Sequence, residues 1–218
     1  LQPDLGSTAL LISIMCLLMF IAGCRLRYIV PLLGAGVVGI LGIALMMPER
    51  RGRLLAFIHP EQYRSNEGYQ VWQALIAFGS GGMQGLGLGN SVQKMFYLPE
   101  AHTDFIFPII GEELGLFWTL VVVSCFVLLA LAGGYISAYA PDTAGALLGW
   151  GVTALICLQA VANIGVVTGC LPAKGLGLPF ISYGGSNLVV CLACIGILLN
   201  IHRQALYESE SNVLLAEA

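Results

Sequence analysis

The residues best suited to chemistry lie in one short polar stretch at positions 97–116, which reads YLPEAHTDFIFPIIGEELGL. It places four carboxylates, a histidine and a threonine in an otherwise apolar chain. A carboxylate can accept a proton from a hydroxyl or bind a metal ion, and a histidine can act as a base. The candidates are Glu100, His102, Thr103, Asp104, Glu112 and Glu113.

Asp104 holds the most distinctive position, because a helix must begin beside it. Pro108 is tolerated in the first turn of a helix but not in its interior, so the helix is predicted to begin between Asp104 and about Phe107. Asp104 is then a cap or lies just outside the first turn, at the positive end of the helix dipole. That dipole lowers the basicity of the carboxylate, so two roles stay open: a general base, or a group that binds a divalent cation (Mg²⁺ or Mn²⁺) or orients the substrate.

Two glycine-rich segments supply further polar groups. The first, at 79–89, precedes Asn90 and Lys94, and its glycines allow tight turns or the close approach of a ligand. It lacks the Gly-Lys-Ser/Thr ending of a P-loop and the glycine spacing of a dinucleotide site, so we expect neither a nucleotide nor haem. The second, at 169–186, contains Lys174, Ser182, Tyr183, Gly184, Gly185 and Ser186. Lysines and backbone N–H groups suit an anionic group such as a phosphate.

The composition requires that these residues lie at a membrane. Hydrophobic residues make up 58% of the chain and charged residues 10%, against about 25% charged in ordinary globular domains, and the mean hydropathy is +0.88. The net charge of −3 is not that of a nucleic-acid-binding protein. The seven cysteines lie in or beside apolar runs and are interpreted as packing residues, including the Cys191–Cys194 pair.

The elements that position the polar clusters are predicted to be membrane-spanning helices. Five apolar runs, at 7–24, 28–47, 114–131, 146–167 and 187–201, approach the length of about 20 residues that crosses a bilayer. We therefore expect an all-α, polytopic transmembrane helix bundle that forms a single integral membrane domain. A large loop at 49–103 carries short helices, one of which, near Val71–Phe78, is either amphipathic at the membrane surface or buried against the bundle. The acidic tail at 207–218 is predicted to be cytoplasmic and either disordered or loosely attached.

Five spans place the large loop and the second glycine-rich segment on one face of the membrane. Six of the nine basic residues fall on that face, which by the positive-inside rule would make it cytoplasmic. The rule is counted over short loops, however, and the first helix of an intact protein often dominates it. The chain begins at Leu1 without a recognisable signal peptide, so we expect a piece of a longer protein whose first helix is missing, and the charge rule does not decide the side of the loop.

Four polar residues within the spans have structural explanations. Glu112 and Glu113 are adjacent and lie on different helix faces, and an intramembrane carboxylate is functional unless it pairs, for example with an arginine of the loop. Gln159 and Asn163 are four residues apart on one helix face, where hydrogen bonding between helices is the ordinary explanation. All four are assigned structural or orienting roles, and a substrate role for the amides stays an alternative.

Three segments resemble one family of bacterial integral membrane proteins, the SEDS family. They are YLPEAHTDFIFPIIGEELG at 97–115, LPAKGLGLPFISYGGSNL at 171–188 and LQPDLG at 1–6. The segment GLGLGNSVQK at 85–94 is more similar to the cell-division (FtsW-like) branch than to the elongation (RodA-like) branch. Pro108 and Asn187 depart from the expected pattern without removing a motif residue, and the chain resembles only the C-terminal half of such proteins, which have about ten spans.

The resemblance implies an inverting peptidoglycan glycosyltransferase that polymerises lipid II during cell division, with the large loop outside the cytoplasmic membrane and Asp104 as the essential aspartate. Lys94, Glu100, His102, Thr103 and the polar residues from Lys174 to Ser186 named above would bind substrate. The implied partners are a class B penicillin-binding transpeptidase and other division proteins, at the septum of the cytoplasmic (inner) membrane. Two alternatives remain: a lipid II translocator and a non-catalytic division scaffold.

Overall fold

The computed structural model describes residues 5–59, 62–63, 66, 68–96, 98 and 102–217, and all regular secondary structure in these ranges is helical. The prediction of an all-α protein is therefore confirmed. The helices are α1 (Leu5–Ile21), α2 (Leu26–Met46), α3 (Pro48–Ile58), α4 (Tyr69–Gly81), α5 (Val92–Phe96), α6 (Ile106–Ala138), α7 (Thr143–Val167) and α8 (Gly185–Glu217).

Four of the described helices are long and apolar enough to cross a membrane: α2, α6, α7 and α8 as far as Glu208. The apolar helix α1 has 17 residues, slightly fewer than the roughly 20 that a full crossing needs. Each of the five predicted spans overlaps one of these five helices. The chain is a polytopic membrane helix bundle, as expected.

Two helices are longer than the apolar runs that predicted their spans. Helix α6 begins at Ile106, well before residue 114, and continues through a kink at Gly115, where φ is 81° and ψ is −176°. Pro108 is compatible with this start, because the first N–H groups of a helix have no intrahelical acceptor. Helix α8 continues to Glu217, so the acidic tail is helical as far as this residue and is not disordered there. Extending an existing helix avoids the cost of nucleation.

Helix α7 is the centre of the bundle and packs against α1, α4, α6 and α8. Small residues allow its close contact with α6, since a Cβ added to Gly149 would lie 2.5 Å from Ser137 Oγ, and one added to Gly133 would lie 2.3 Å from Thr153 Oγ1. The buried hydroxyls of Ser137 and Thr153 donate to carbonyls four residues back in their own helices. This small-residue contact is typical of helices that pack within a bilayer.

Helix α4 packs one face against α6, while Leu75 and Ile76 on it are each 40% exposed. Ala74 and Ala77 are fully buried, and Phe78 and Phe107 meet edge to face at 5.7 Å. A Cβ on Gly81 would lie 2.0 Å from the carbonyl oxygen of Gly111. The two backbones are therefore in direct contact, which no other residue type at Gly81 would allow without movement.

All seven cysteines are free, and three of them, Cys24, Cys125 and Cys170, are exposed. Cys191 and Cys194 are buried, and Cys194 belongs to the apolar cluster between α7 and α8.

Candidate active site

Asp104 lies at the start of α6, immediately before the N-cap residue Phe105, which makes no side-chain capping bond. The prediction that the helix begins between Asp104 and about Phe107 is confirmed. Asp104 is half-buried, whereas Phe105 and Phe107 beside it belong to the apolar core. The carboxylate is thus held by a rigid helix end, just outside the first turn.

The second glycine-rich segment approaches the Asp104 carboxylate directly. A Cβ on Gly175 would lie 3.0 Å from Asp104 Oδ2, and one on Gly177 would lie 4.0 Å from Asp104 Oδ1. Lys174 immediately precedes Gly175, so the segment brings a basic residue to the neighbourhood of the carboxylate. The two clusters that the sequence assigns to one membrane face therefore meet.

Two amides on α7 hold this contact from the bundle side. Asn163 Nδ2 donates to the carbonyl oxygens of Asp104 (2.7 Å) and Leu176 (2.6 Å). Gln159 Nε2 donates to the carbonyl oxygen of Gly177 at 2.8 Å and to Asn187 Oδ1 at 3.3 Å. The predicted bond between helices is present only from Gln159 to Asn187, and the main partners are backbone carbonyls of the site itself.

Ser182 and Tyr183 join the same two segments. Ser182 Oγ donates to the carbonyl oxygen of Thr103 at 2.6 Å and accepts from the N–H of Leu178 at 2.6 Å. The N–H of Tyr183 donates to the carbonyl oxygen of His102 at 2.9 Å. The Ser182 hydroxyl, which was predicted to bind substrate, thus forms hydrogen bonds to backbone groups and positions the Thr103–Asp104 dipeptide.

A cavity of about 620 Å³ opens beside this junction. It is lined by His102, Ile106, Phe180, Ile181, Ser182, Tyr183, Gly184, Gly185 and Leu188. Phe180 has a φ of 65°, which is a strained conformation for a residue with a Cβ, and such strain clusters at functional sites. Tyr183 is 84% exposed, so its ring is available to a ligand. Ser186 is exposed in the first turn of α8.

The first glycine-rich segment packs against α6. The N–H groups of Leu86 and Gly87 donate to the carbonyl oxygens of Glu112 and Glu113, each at 2.9 Å, and the N–H of Leu116 donates to Gly82. These bonds satisfy two carbonyls and one N–H of α6 that the kink at Gly115 leaves without helical partners. The close approach that the glycines permit is between two backbones, not between backbone and ligand.

Glu112 and Glu113 both contact the loop side of this junction. Glu112 is almost fully buried and accepts from Ser80 Oγ, Ser91 Oγ and the N–H groups of Val92 and Gln93. Glu113 Oε1 lies 3.9 Å from Lys94 Nζ. An arginine partner was expected for one of them, and the structure instead gives Glu112 two serine hydroxyls and Glu113 a lysine.

This arrangement separates Lys94 from the groups around Asp104, since Lys94 contacts Glu113 beyond the first turns of α6. The structure brings Asp104 together with His102, Thr103, Ser182, Tyr183 and the Lys174–Gly177 segment. Glu100 and Arg64 lie outside the described residues. Arg53 of α3 lines a different cavity of about 130 Å³ beside α4.

The described side chains do not by themselves build a complete cation site around Asp104. Within the described part of the chain, no three His, Cys, Asp or Glu side chains converge on one point. Mg²⁺ is commonly held by one or two carboxylates together with substrate phosphates and water. The carboxylate of Asp104 is compatible with that kind of site.

Sequence reasoning missed several residues that shape the site. Gly175 and Gly177 have no side chain and therefore leave space for the Asp104 carboxylate. Ile106, Phe180 and Leu188 line the cavity. Only the Gly-Leu-Gly pattern after Lys174 could have signalled the first pair. Ile106, Phe180 and Leu188 look in the sequence like ordinary apolar residues of a membrane protein.

The fold and the site define a polytopic α-helical membrane protein with a carboxylate and a lysine-bearing loop gathered at the ends of its spans. The family model described as "cell cycle protein", which groups FtsW, RodA and SpoVE, matches residues 1–207. The chain belongs to this family, and the resemblance inferred from its motifs is confirmed.

Individual relatives agree with this assignment. A protein of Geobacter metallireducens named "probable peptidoglycan glycosyltransferase FtsW" is 46% identical over 200 residues, covering 92% of this chain and 53% of that protein. Stage V sporulation protein E of Bacillus subtilis is 41% identical over 206 residues, covering 94% and 56%. The chain spans about half the length of the curated relatives it matches.

Solved structures share the fold. A chain from a structure described as "structural coordination of polymerization and crosslinking by a peptidoglycan synthase complex" superposes with a TM-score of 0.68 at 25% identity, covering 94% of this chain and 57% of that one. A mutant of the Thermus thermophilus rod shape determining protein RodA gives a TM-score of 0.60 at 25% identity, covering 94% and 51%.

Proposed function

We propose that this protein is a peptidoglycan glycosyltransferase that polymerises lipid II during bacterial cell division, with the large loop outside the cytoplasmic membrane. The observation that carries the proposal is the contact between the Asp104 carboxylate and the Lys174–Gly177 segment, at the ends of membrane spans and beside an open cavity. This is a carboxylate in contact with a lysine-bearing segment, at the ends of helices that are long and apolar enough to cross a bilayer. The names of the relatives point to the same activity.

The reaction would be a displacement with inversion. The acceptor hydroxyl oxygen forms a bond to the anomeric carbon of the donor, while the bond from that carbon to the diphosphate oxygen breaks. Asp104 takes the hydroxyl proton as general base, and the bonding electrons leave with the polyprenyl diphosphate. Lys174 offsets the charge that develops on this leaving group.

A divalent cation is the second part of the proposal. Mg²⁺ or Mn²⁺ held by Asp104 and the diphosphate oxygens would neutralise the leaving group. In that case Asp104 serves as the protein's ligand for the cation, and the loss of its charge removes the cation as well as the base.

The test is Asp104→Asn in the complete protein. The change keeps the size of the side chain and removes its charge, and we expect polymer from labelled lipid II in detergent to fall by about 10²- to 10⁴-fold. Asp142→Asn is the matched control: Asp142 Oδ1 accepts from the N–H of Gly145 as the N-cap of α7, and asparagine caps equally well. Undiminished polymer from the Asp104 variant, with normal membrane insertion, would refute the assignment.

A class B penicillin-binding transpeptidase and other division proteins are the proposed partners, and the septum is the proposed location. One solved relative belongs to a peptidoglycan synthase complex, which supports a partner of this kind. Co-purification of the complete protein with its transpeptidase, and fluorescence imaging at the division plane, test these two points.

The translocator alternative loses its main support. It rests on Gln159 and Asn163 as polar groups in mid-span, and their N–H groups bond to backbone carbonyls of the Asp104 site. A translocator would make no polymer in the detergent assay. A scaffold would tolerate the Asp104 change without loss of function in cells.

A further inference from the structure

A second cavity, of about 130 Å³, lies between α3, α4 and the start of the second glycine-rich segment. The described residues that line it all differ from those that line the cavity beside Asp104. It has room for roughly four groups the size of a water molecule or a methylene. Phe57, Trp72 and Leu75 belong to its apolar walls, and Arg53 is the charged residue of the described lining. An apolar cavity with one cation suits an anionic amphiphile.

Helix α3 holds Arg53 at the surface of the membrane. Helix α2, which is apolar enough to cross the bilayer, ends at Met46, and α3 begins at Pro48. Arginines at 50, 51 and 53 exclude α3 from the hydrocarbon core. Helix α3 must therefore lie at the level of the lipid headgroups, where arginines of an amphipathic helix attract anionic lipids.

Arg53 is exposed, and among the described residues none forms a hydrogen bond or an ion pair with it. A guanidinium presents five N–H donors in a planar fork that matches the oxygens of a phosphate. The side chain of Arg53 is therefore available to a ligand from outside the protein.

The cavity opens to the exterior through its apolar walls. Phe57, Leu75 and Leu171 line it and are also 41%, 40% and 39% exposed. Trp72 lines it as well, and tryptophan is enriched at membrane interfaces because its ring is apolar and its N–H is polar. A hydrocarbon chain can enter beside these side chains while its headgroup stays at the level of Arg53.

We propose that this cavity binds an anionic phospholipid, with the phosphate on Arg53 and part of one acyl chain against Phe57, Trp72 and Leu75. The three arginines of α3 favour a headgroup with a net negative charge, because a zwitterionic headgroup carries a cation that they repel. The volume admits only a short part of one chain, so the rest of the lipid lies along the exposed apolar surface. The inference does not depend on the proposed function.

The bound lipid also contacts the second glycine-rich segment. Leu171 and Ala173 line the cavity just before Lys174, and the next residue, Gly175, approaches Asp104. A lipid in the cavity adds apolar contacts to this segment, so it should stabilise the fold of the protein.

Binding of phosphatidylglycerol to the complete, delipidated protein in detergent tests the role of the charge, with native mass spectrometry as the measurement. We expect Arg53→Gln to weaken binding by about fivefold to tenfold, because a charge-assisted contact to the phosphate is lost. Arg51→Gln is the matched control, since Arg51 is exposed on the same helix and lies outside the cavity lining. It should change the affinity by less than about twofold. Equal losses in the two variants would mean a general attraction of α3 to anionic lipid and would overturn the site.

Leu75→Gln and Ile76→Gln test the acyl chain in the same assay. Both residues are 40% exposed on α4, but only Leu75 belongs to the cavity lining. Leu75→Gln should weaken binding by about fivefold, because apolar contacts with the chain are lost, and Ile76→Gln should change it by less than about twofold. Phosphatidylglycerol should also raise the melting temperature more than phosphatidylcholine with the same chains, and Arg53→Gln should remove this difference. Equal stabilisation of the wild-type protein by the two lipids would refute the proposal.

Photolabelling identifies the occupant. Phosphatidylglycerol that carries a diazirine near the ester end of one chain should label peptides containing residues 53–57, 71–75 or 168–173. Unlabelled phosphatidylglycerol should compete, and phosphatidylcholine should not. Stronger competition by a polyprenyl phosphate would assign the cavity to an isoprenoid chain, and labelling spread evenly over α2, α6 and α8 would indicate only the lipid that surrounds every membrane protein. Either of these results would overturn the proposal.

Discussion

Gly175→Ala is the smallest change that tests whether the placement of the Asp104 carboxylate matters for activity. The backbone of Gly175 is not in the left-handed region, so alanine can adopt its conformation. The new Cβ would lie 3.0 Å from Asp104 Oδ2, whereas ordinary contacts begin at 3.4 Å. The carboxylate must therefore move by about 0.4 Å, and it is the end of a side chain that can yield.

We expect Gly175→Ala to lower kcat and to leave the free energy of unfolding almost unchanged. Since a misplacement of about 1 Å can cost about 10²-fold in rate, a shift of this size should lower kcat by roughly fivefold to tenfold. The free energy of unfolding should change by less than about 1 kcal/mol, because alanine also lowers the entropy of the unfolded chain.

Polymer formation from labelled lipid II and thermal unfolding in detergent measure the two quantities. Gly196→Ala is the matched control, because a Cβ at this position of α8 meets nothing within 4 Å. Wild-type kcat in the Gly175 variant would contradict the idea that the carboxylate acts from this position. A large loss of stability would show that the segment, and not the carboxylate, had to move.

Three further predictions follow from the same contacts. Asn163→Leu leaves two carbonyls without their donor, so it should lower the free energy of unfolding by about 2–4 kcal/mol and should also lower kcat. Thermal unfolding and polymer assays measure the two effects, and an unchanged melting temperature would mean that water replaces the amide. Gly81→Ala directs a Cβ at the carbonyl oxygen of Gly111, 2.0 Å away, and should destabilise the protein by at least about 1–3 kcal/mol, whereas Gly79→Ala, in open space on the same helix, should not. Removal of divalent cations with EDTA should stop polymerisation, and Mg²⁺ or Mn²⁺ should restore it; synthesis that continues in EDTA would assign Asp104 to the role of base alone.

The local sequence pattern was sufficient to predict the spans and the start of α6, because these features depend on residues that are close in the sequence. Apolar runs of about 20 residues must be helical in a bilayer, because every backbone group has to be satisfied within the segment. Pro108 restricted the start of α6 to the residues around Asp104, and α6 begins at Ile106. The kink at Gly115 was not predicted, because its stabilising partners lie in a loop some thirty positions earlier, such as Gly82.

The sequence by itself determined the membrane class, the positions of the spans and the candidate carboxylate, since these follow from composition, periodicity and local sterics. Only the tertiary structure decided which polar groups meet. The bond from Asn163 to Asp104 joins residues 59 positions apart, and spacing along a chain carries no information about such a pair. In the same way Lys94 and Lys174 look equivalent in the sequence, and packing directs Lys94 to Glu113 and places Lys174 in the segment that contacts Asp104.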